Sequence, residues 1–255
     1  MKRFVQHIPN TLTCISLIFG FYASIAGITG NYFVAMIAIF IAAFFDFCDG
    51  MAARLLKAYT AMGKELDSLA DAISFGVAPG MMLFSFLDTL IYSLSCNDLV
   101  LYKLFLLVAF VVPVFSGLRL AKFNIDERQK TSFLGLPVPA HAILLSSLVV
   151  VLANGVHSTY CILPQLAELL SSISPATMLI FLSISVVATS LLLVSEIPMF
   201  SLKMSSFSWN ANKMPFILLA SAILLIFFLG IAGIAATIIL YILLSIGKNK
   251  RTRNN

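Results

Sequence analysis

Charge is what this sequence lacks most. Lys, Arg, Asp and Glu make up 11% of its 255 residues, against about 25% in soluble domains. With 60% hydrophobic residues and a mean hydropathy of +1.03, that scarcity excludes a soluble protein and indicates an integral membrane protein. Cysteine and histidine are also few. Cys14, Cys48, Cys96 and Cys161 share no close spacing, so a CxxC-type metal site is excluded and they read as packing residues. His7, His141 and His157 are scattered. His141, after Pro137 and Pro139, reads as a structural residue at the start of a span. The chain also lacks the roughly ten-residue alternating segments of an outer-membrane barrel. No soluble domain fits between its apolar runs, and no run repeats another.

What is present is a series of apolar runs of helical length. Spans are expected near 11–29, 32–55, 68–94, 99–122, 137–155, 174–195, 213–229 and 231–247, close to the roughly 20 residues a bilayer requires. The expected fold is therefore all-α, a polytopic helical bundle of about eight transmembrane helices, forming one domain over residues 1–255. Six to eight spans are compatible with the pattern, because Gly230 and Gly233 mark either a tight turn between two short spans or a bend in one long segment. The Met1-Lys2-Arg3 start and the following apolar run resemble a signal peptide, but the length of the run favours an uncleaved first span.

Lysine and arginine set the orientation. With eight spans and the amino end inside, Lys103 alone of the 16 basic residues falls on the outer side. Lys2, Arg3, Arg54, Lys57, Lys64, Arg119, Lys122, Arg128, Lys130, Lys203, Lys213 and the Lys248–Arg253 tail all fall inside. Both termini are then cytoplasmic, in a cell (inner, cytoplasmic) membrane. The net charge of +5 reads as topology and affinity for anionic lipid, not nucleic-acid binding.

The few acids are not spread evenly. Asp46, Asp49, Asp67 and Asp71 stand at spacings of three, eighteen and four, flanking apolar runs. A carboxylate at a membrane helix centre costs roughly 2.5–3.5 kcal/mol on insertion scales, so four together call for a compensating cation. Residues three or four apart share a helix face. Asp46, Asp49 and Ala53 then lie on one face with Gly50 and Arg54 beside it, while Gly63, Asp67, Asp71 and Ser74 form a second face. Two helices would each aim two carboxylates at a shared space. All-oxygen ligation suits Mg²⁺ or Mn²⁺, and two such ions balance four carboxylates. Gly50, Ala53 and Gly63 permit close approach of a ligand, and Arg54 offers a fork of donors to phosphate. Metal, small residues and arginine together point to phosphoryl transfer. A plainer reading makes the acids loop and cap residues, with Asp67 as a helix cap and Lys57 and Lys64 as surface partners. Shared helix faces for all four argue against it.

The stretch fits D-x2-D-G-x2-A-R-x8-G-x3-D-x3-D at every one of its eight fixed positions, and in this it resembles the CDP-alcohol phosphotransferases. Further stretches resemble the branch of CDP-diacylglycerol–serine O-phosphatidyltransferases. They are Ile8-Pro9-Asn10-x-Leu12-Thr13, Gly63 to Asp71, Ser74-Phe75-Gly76-Val77-Ala78-Pro79, Arg119 to Asn124 and Phe133-x-Gly135-Leu136-Pro137-Val138-Pro139. They cover roughly the first 140 residues. The resemblance implies CDP-diacylglycerol as donor and L-serine as acceptor, with phosphatidylserine and CMP as products. It implies two divalent cations on Asp46, Asp49, Asp67 and Asp71, with Asp71 taking the proton of the serine hydroxyl. Asn10, Thr13, Gly50, Ala53, Arg54, Thr60 and Gly63 are the expected nucleotide and phosphate contacts. Arg119 and Asn124 are expected to line the acceptor pocket, and a homodimer is expected. Two alternatives stay open: the same chemistry with glycerol 3-phosphate or an inositol phosphate, and a non-catalytic ion or metal transporter.

Overall fold

The computed structural model describes residues 7–94, 98–126, 133–153, 172–200 and 213–253. Lys2, Arg3, Cys96, Arg128, Lys130, His157, Cys161 and Lys203 lie outside them. The described helices are α1 (His7–Ile28), α2 (Tyr32–Leu55), α3 (Ala61–Asp71), α4 (Ala78–Ser93), α5 (Leu99–Ile125), α6 (Val138–Ala153), α7 (Pro175–Val194), α8 (Lys213–Leu229) and α9 (Ile231–Arg253). A π-helical turn, Ala72–Val77, joins α3 to α4 as one rod from Ala61 to Ser93. Two-residue strands β1 (Phe133–Leu134) and β2 (Pro198–Met199) pair antiparallel. They tie the entry to α6 to the segment following α7.

The fold is the expected helical membrane bundle. α1, α2, the Ala61–Ser93 rod, α5 and α7 are long and apolar enough to cross a membrane. α6, α8 and the Ile231–Gly247 part of α9 are shorter apolar helices. Large apolar side chains such as Ile18, Phe21, Phe44, Leu104, Leu107, Ile184 and Phe227 lie on the outside, as expected where the solvent is lipid.

Two boundaries differ from the sequence expectation or settle what it left open. The third span begins at Ala61 rather than 68, because Thr60 caps it: its side chain accepts from the Gly63 N–H at 2.9 Å. This first stretch is polar, so no apolar count could include it. At the other end of the chain, Gly230 has a positive φ of 58°, and a Cβ on Gly233 would collide with the Leu225 backbone. In one continuous helix those two residues would be about 12 Å apart. α8 and α9 are therefore two helices folded against each other, not a single bent segment.

Small residues set the packing that positions the site. A Cβ on Gly20 would sit 2.6 Å from the Ser74 Cα, and one on Gly27 would sit 3.0 Å from the Met82 Cα. α1 thus lies backbone to backbone on the rod, as membrane helices with small interface residues do. On the rod's other side, Gly76 and Gly80 face Ser116 and Pro113 of α5. The core between these contacts is apolar. One cluster gathers Met82, Leu83, Phe86 and Leu87 with Val112, Val149 and Leu182, and another joins Ile39, Phe75, Leu144, Leu193 and Tyr241.

Candidate active site

The site forms where α2 stops and α3 starts. α2 ends with Lys57 in the left-handed region (φ 51°), the Lys57 N–H donating to Arg54 O at 3.3 Å and the Ala58 N–H to Ala53 O at 3.0 Å. This paired closure satisfies carbonyls at the helix end and reverses the chain. Ala58 is buried, and Thr60 then caps α3. The reversal sets the last turns of α2 beside the first turns of α3, each carrying two aspartates.

The aspartates converge. Ligand oxygens of Asp46, Asp49 and Asp67 lie within 4.8 Å of one another. The Asp46 side chain is also within hydrogen-bonding reach of both Asp67 and Asp71. Asp71 joins the cluster from one turn farther along α3, at the mouth of the π turn, a feature that recurs at functional sites. Among the described residues, none of the four is paired with a lysine or arginine. Like-charged oxygens so close together need a cation or shared protons between them. The donor set is all oxygen, and it fits a hard divalent ion. The reading of these acids as caps and surface pairs does not hold: Asp67 is interior to α3, Thr60 is the cap, and Lys64 donates to Asn124 O at 3.3 Å.

Beside the cluster lies an open cleft of about 580 Å³. Asp49, Gly50, Ala53 and Ala58 form one wall, Tyr59, Thr60, Gly63, Lys64 and Asp67 a second, and Pro9, Asn10 and Thr13 of α1 a third. Thr13 Oγ1 lies 2.6 Å from Asp49 Oδ2 and donates to it, which fixes the carboxylate's rotamer. A Cβ on Gly63 would lie 2.9 Å from both Asn10 Oδ1 and Thr60 Oγ1. Gly63 is therefore what lets α1 and the α3 cap meet at the cleft.

The profile of the CDP-alcohol phosphatidyltransferase family matches residues 6–170 of this chain. The chain belongs to that family. Among curated proteins it is similar to the CDP-diacylglycerol–serine O-phosphatidyltransferase of Bacillus subtilis, 38% identical over 135 residues, 53% of this chain and 71% of the relative. It is similar to the protein of the same name from Mycobacterium bovis, 32% identical over 202 residues, 76% of this chain and 61% of that one. It also matches the archaetidylserine synthase of Methanothermobacter thermautotrophicus, 31% identical over 142 residues, 55% of this chain and 56% of the relative.

Of the nucleotide contacts expected from the family pattern, Asn10, Thr13, Gly50, Ala53, Thr60 and Gly63 all line the cleft. Arg54 is exposed and is not among its walls; its Nε donates to Gly50 O at 2.8 Å. The expected acceptor contacts stand apart from the cleft. The Asn124 side-chain amide donates to Ser68 Oγ at 2.8 Å, so its observed work is to fasten α5 to α3. Arg119 is buried, with its guanidinium 5.1 Å from the centre of the Phe123 ring. Ser74 does not continue the face of Asp67 and Asp71, because the π turn breaks the helical phase. It donates instead to Ser16 O at 3.2 Å. The sequence reading missed Pro9, Ala58, Tyr59 and Lys64 as cleft walls. For Lys64 the signal was present, since it stands next to Gly63 within the family stretch.

Proposed function

We propose that this protein transfers the phosphatidyl group of CDP-diacylglycerol to L-serine, releasing CMP and phosphatidylserine. The observation that carries the reading is the convergence of four aspartates, none paired with a lysine or arginine among the described residues, beside a cleft lined by the family's nucleotide residues. Serine as acceptor is supported by the names of the relatives above. Asp46, Asp49, Asp67 and Asp71 would hold two divalent cations, Mg²⁺ or Mn²⁺. Bound there, such ions neutralise charge on the pyrophosphate oxygens and on the departing CMP. The acyl chains stay in the lipid while Asn10, Thr13, Gly50, Ala53, Thr60 and Gly63 hold the nucleotide and phosphates. Arg54, at the end of α2, reaches for a phosphate oxygen from outside the cleft. Asp71, the last residue of α3, takes the proton of the serine hydroxyl as its oxygen attacks phosphorus. Arg119 receives the serine carboxylate.

An acceptor panel tests the assignment. L-Serine, and not glycerol 3-phosphate, is expected to drive CMP release from CDP-diacylglycerol. Turnover with glycerol 3-phosphate and none with serine would defeat it while leaving the phosphoryl chemistry standing. Arg119→Ala should raise the serine KM by roughly ten- to a hundredfold, the cost of one charge-assisted hydrogen bond. CDP-diacylglycerol binding should change far less. Unchanged serine kinetics would remove Arg119 from the acceptor pocket.

The same reading places the cleft and both termini on the cytoplasmic side of the cell membrane, where a cytidine nucleotide is available. A reporter fused after position 255 should be cytoplasmic, and one inserted at position 97, outside the described residues, should lie across the membrane. Reporters on the same side would contradict the span order.

A further inference from the structure

Buried polar atoms without a hydrogen-bond partner are rare in folded proteins. Four stand among the described residues: Ser116 Oγ, Arg119 Nε, His141 Nδ1 and Ser190 Oγ. Arg119 is 4% exposed and the other three residues 0%. They come from three helices that pack on one another. α5 and α7 run side by side in the same direction: Ala109 and Val112 share a cluster with Leu179 and Leu182, and Lys122 Nζ reaches Val194 O at 3.3 Å. One turn back from that last contact stand Arg119 on α5 and Ser190 on α7. α6 enters at the same level, with His141 Nε2 lying 3.0 Å from Thr189 Oγ1.

Along the rod, this polar layer falls level with the last of the four carboxylates. α5 runs antiparallel to the rod, with Ser116 against Gly76 and Asn124 bonded to Ser68. Arg119 lies between those two contacts, so it falls at the level of Asp71 to Ile73. Among the described residues no carboxylate pairs with it. An arginine kept in an apolar bundle without an acid is expensive unless it serves an anion.

The histidine has the opposite polarity. The one Thr189 Oγ1 proton is in reach of Ser185 O at 2.7 Å and Val186 O at 3.3 Å; given to either, it leaves the oxygen to accept from the imidazole at 3.0 Å. Nε2 then carries the ring proton, and Nδ1 is left as an acceptor with no donor. The layer thus offers a cationic donor in Arg119 and a neutral acceptor in His141, with two hydroxyls free to turn either way.

We propose that His141 Nδ1 is a specificity determinant of the acceptor site, accepting a hydrogen bond from the α-ammonium of the amino acid whose carboxylate Arg119 holds. This rests on the serine reading above and deepens it. The pairing admits an alcohol bearing both charges and rejects a phosphorylated polyol, whose oxygens would face the Nδ1 lone pair.

Acceptor kinetics on the full-length protein in detergent or proteoliposomes test it, with L-serine and with 3-hydroxypropionate, which lacks the ammonium group. Wild type should prefer serine strongly in kcat/KM. His141→Gln keeps a donor toward Thr189 and loses the Nδ1 acceptor, so the preference should collapse by roughly ten- to a hundredfold. His141→Asn loses the Thr189 bond but places a carbonyl near the Nδ1 position, and should retain much of the preference. The reverse order, with Gln close to wild type and Asn impaired, would mark His141 as a packing residue and overturn the proposal. So would a wild-type enzyme that uses both acceptors equally, a result that needs no variant to fold. Wild-type turnover with glycerol 3-phosphate and none with serine would overturn the acceptor assignment itself, and this inference with it. Serine turnover with a preference unmoved in both variants overturns this inference alone.

Discussion

Asp67→Asn should leave a folded protein in the membrane that no longer transfers. Asp67 lines the cleft with Asp49 and its side chain is also within hydrogen-bonding reach of Asp46. The amide keeps the side chain's volume but removes a charge and an oxygen ligand from a cluster whose oxygens lie within 4.8 Å. Loss of a partner one shell out from a metal typically costs about 10- to 100-fold, and loss of a direct ligand should exceed that. Asp49→Asn should behave alike, since its rotamer is already fixed by Thr13. CMP release measured against the amount of monodisperse protein separates lost chemistry from lost folding. Excess EDTA should silence the wild type, and Mg²⁺ or Mn²⁺ should restore it. Full turnover by enzyme verified as metal-free would remove the central argument.

Asp71→Asn should be nearly as damaging, for a different reason. Asp71 stands outside the three-carboxylate group of Asp46, Asp49 and Asp67 and meets the cluster through Asp46. It is also the aspartate at the level of the Arg119 layer. A positioned proton acceptor contributes roughly 10²–10⁴-fold, so kcat should fall by that order, while Mn²⁺ binding, followed by paramagnetic resonance, should weaken less than in Asp67→Asn, because Asp46, Asp49 and Asp67 still stand together. In Asp67→Asn both should be lost. Asp71→Asn with wild-type kcat would remove this residue from proton transfer. Complete loss of Mn²⁺ binding in Asp71→Asn would make it a ligand first.

Much of this was legible in the sequence, because two periodicities carried it. Apolar runs of bilayer length placed the helices to within a few residues, and the spacing of Asp46, Asp49, Asp67 and Asp71 placed two carboxylates on each of two neighbouring helices. What failed were features without a local period. The start of α3 was hidden because Ala61 to Asp71 is polar, and its limit is set by one capping hydroxyl on Thr60. The π turn at Ala72–Val77 breaks the 100° step, so Ser74 could not be phased from Asp71. The Asn124 bond to Ser68 was equally out of reach, a contact between helices that no single-chain spacing encodes. Nor does any spacing say that His141, read as structural, lies 3.0 Å from Thr189.

The shared level of Asp71 and Arg119 connects the two halves of the account. On the proposed reading, donor recognition would belong to α1, α2 and α3, where the family pattern lies, and acceptor recognition to α5, α6 and α7, whose polar residues are spread through apolar runs. A donor site with a strong motif and an acceptor site with a weak one is what a family with one chemistry and several alcohols requires, since specificity among acceptors rests on differential contacts away from the reacting phosphorus.

The measurement that bears most directly on the central claim is transfer of isotopically labelled L-serine into lipid by the purified protein, with CDP-diacylglycerol and Mn²⁺ or Mg²⁺. The account predicts labelled phosphatidylserine in equal amount to CMP, no label in lipid with EDTA, and none with Asp67→Asn. Label that stays in the aqueous phase with folded, metal-supplied wild-type protein, or that enters lipid equally well with Asp67→Asn, would contradict it.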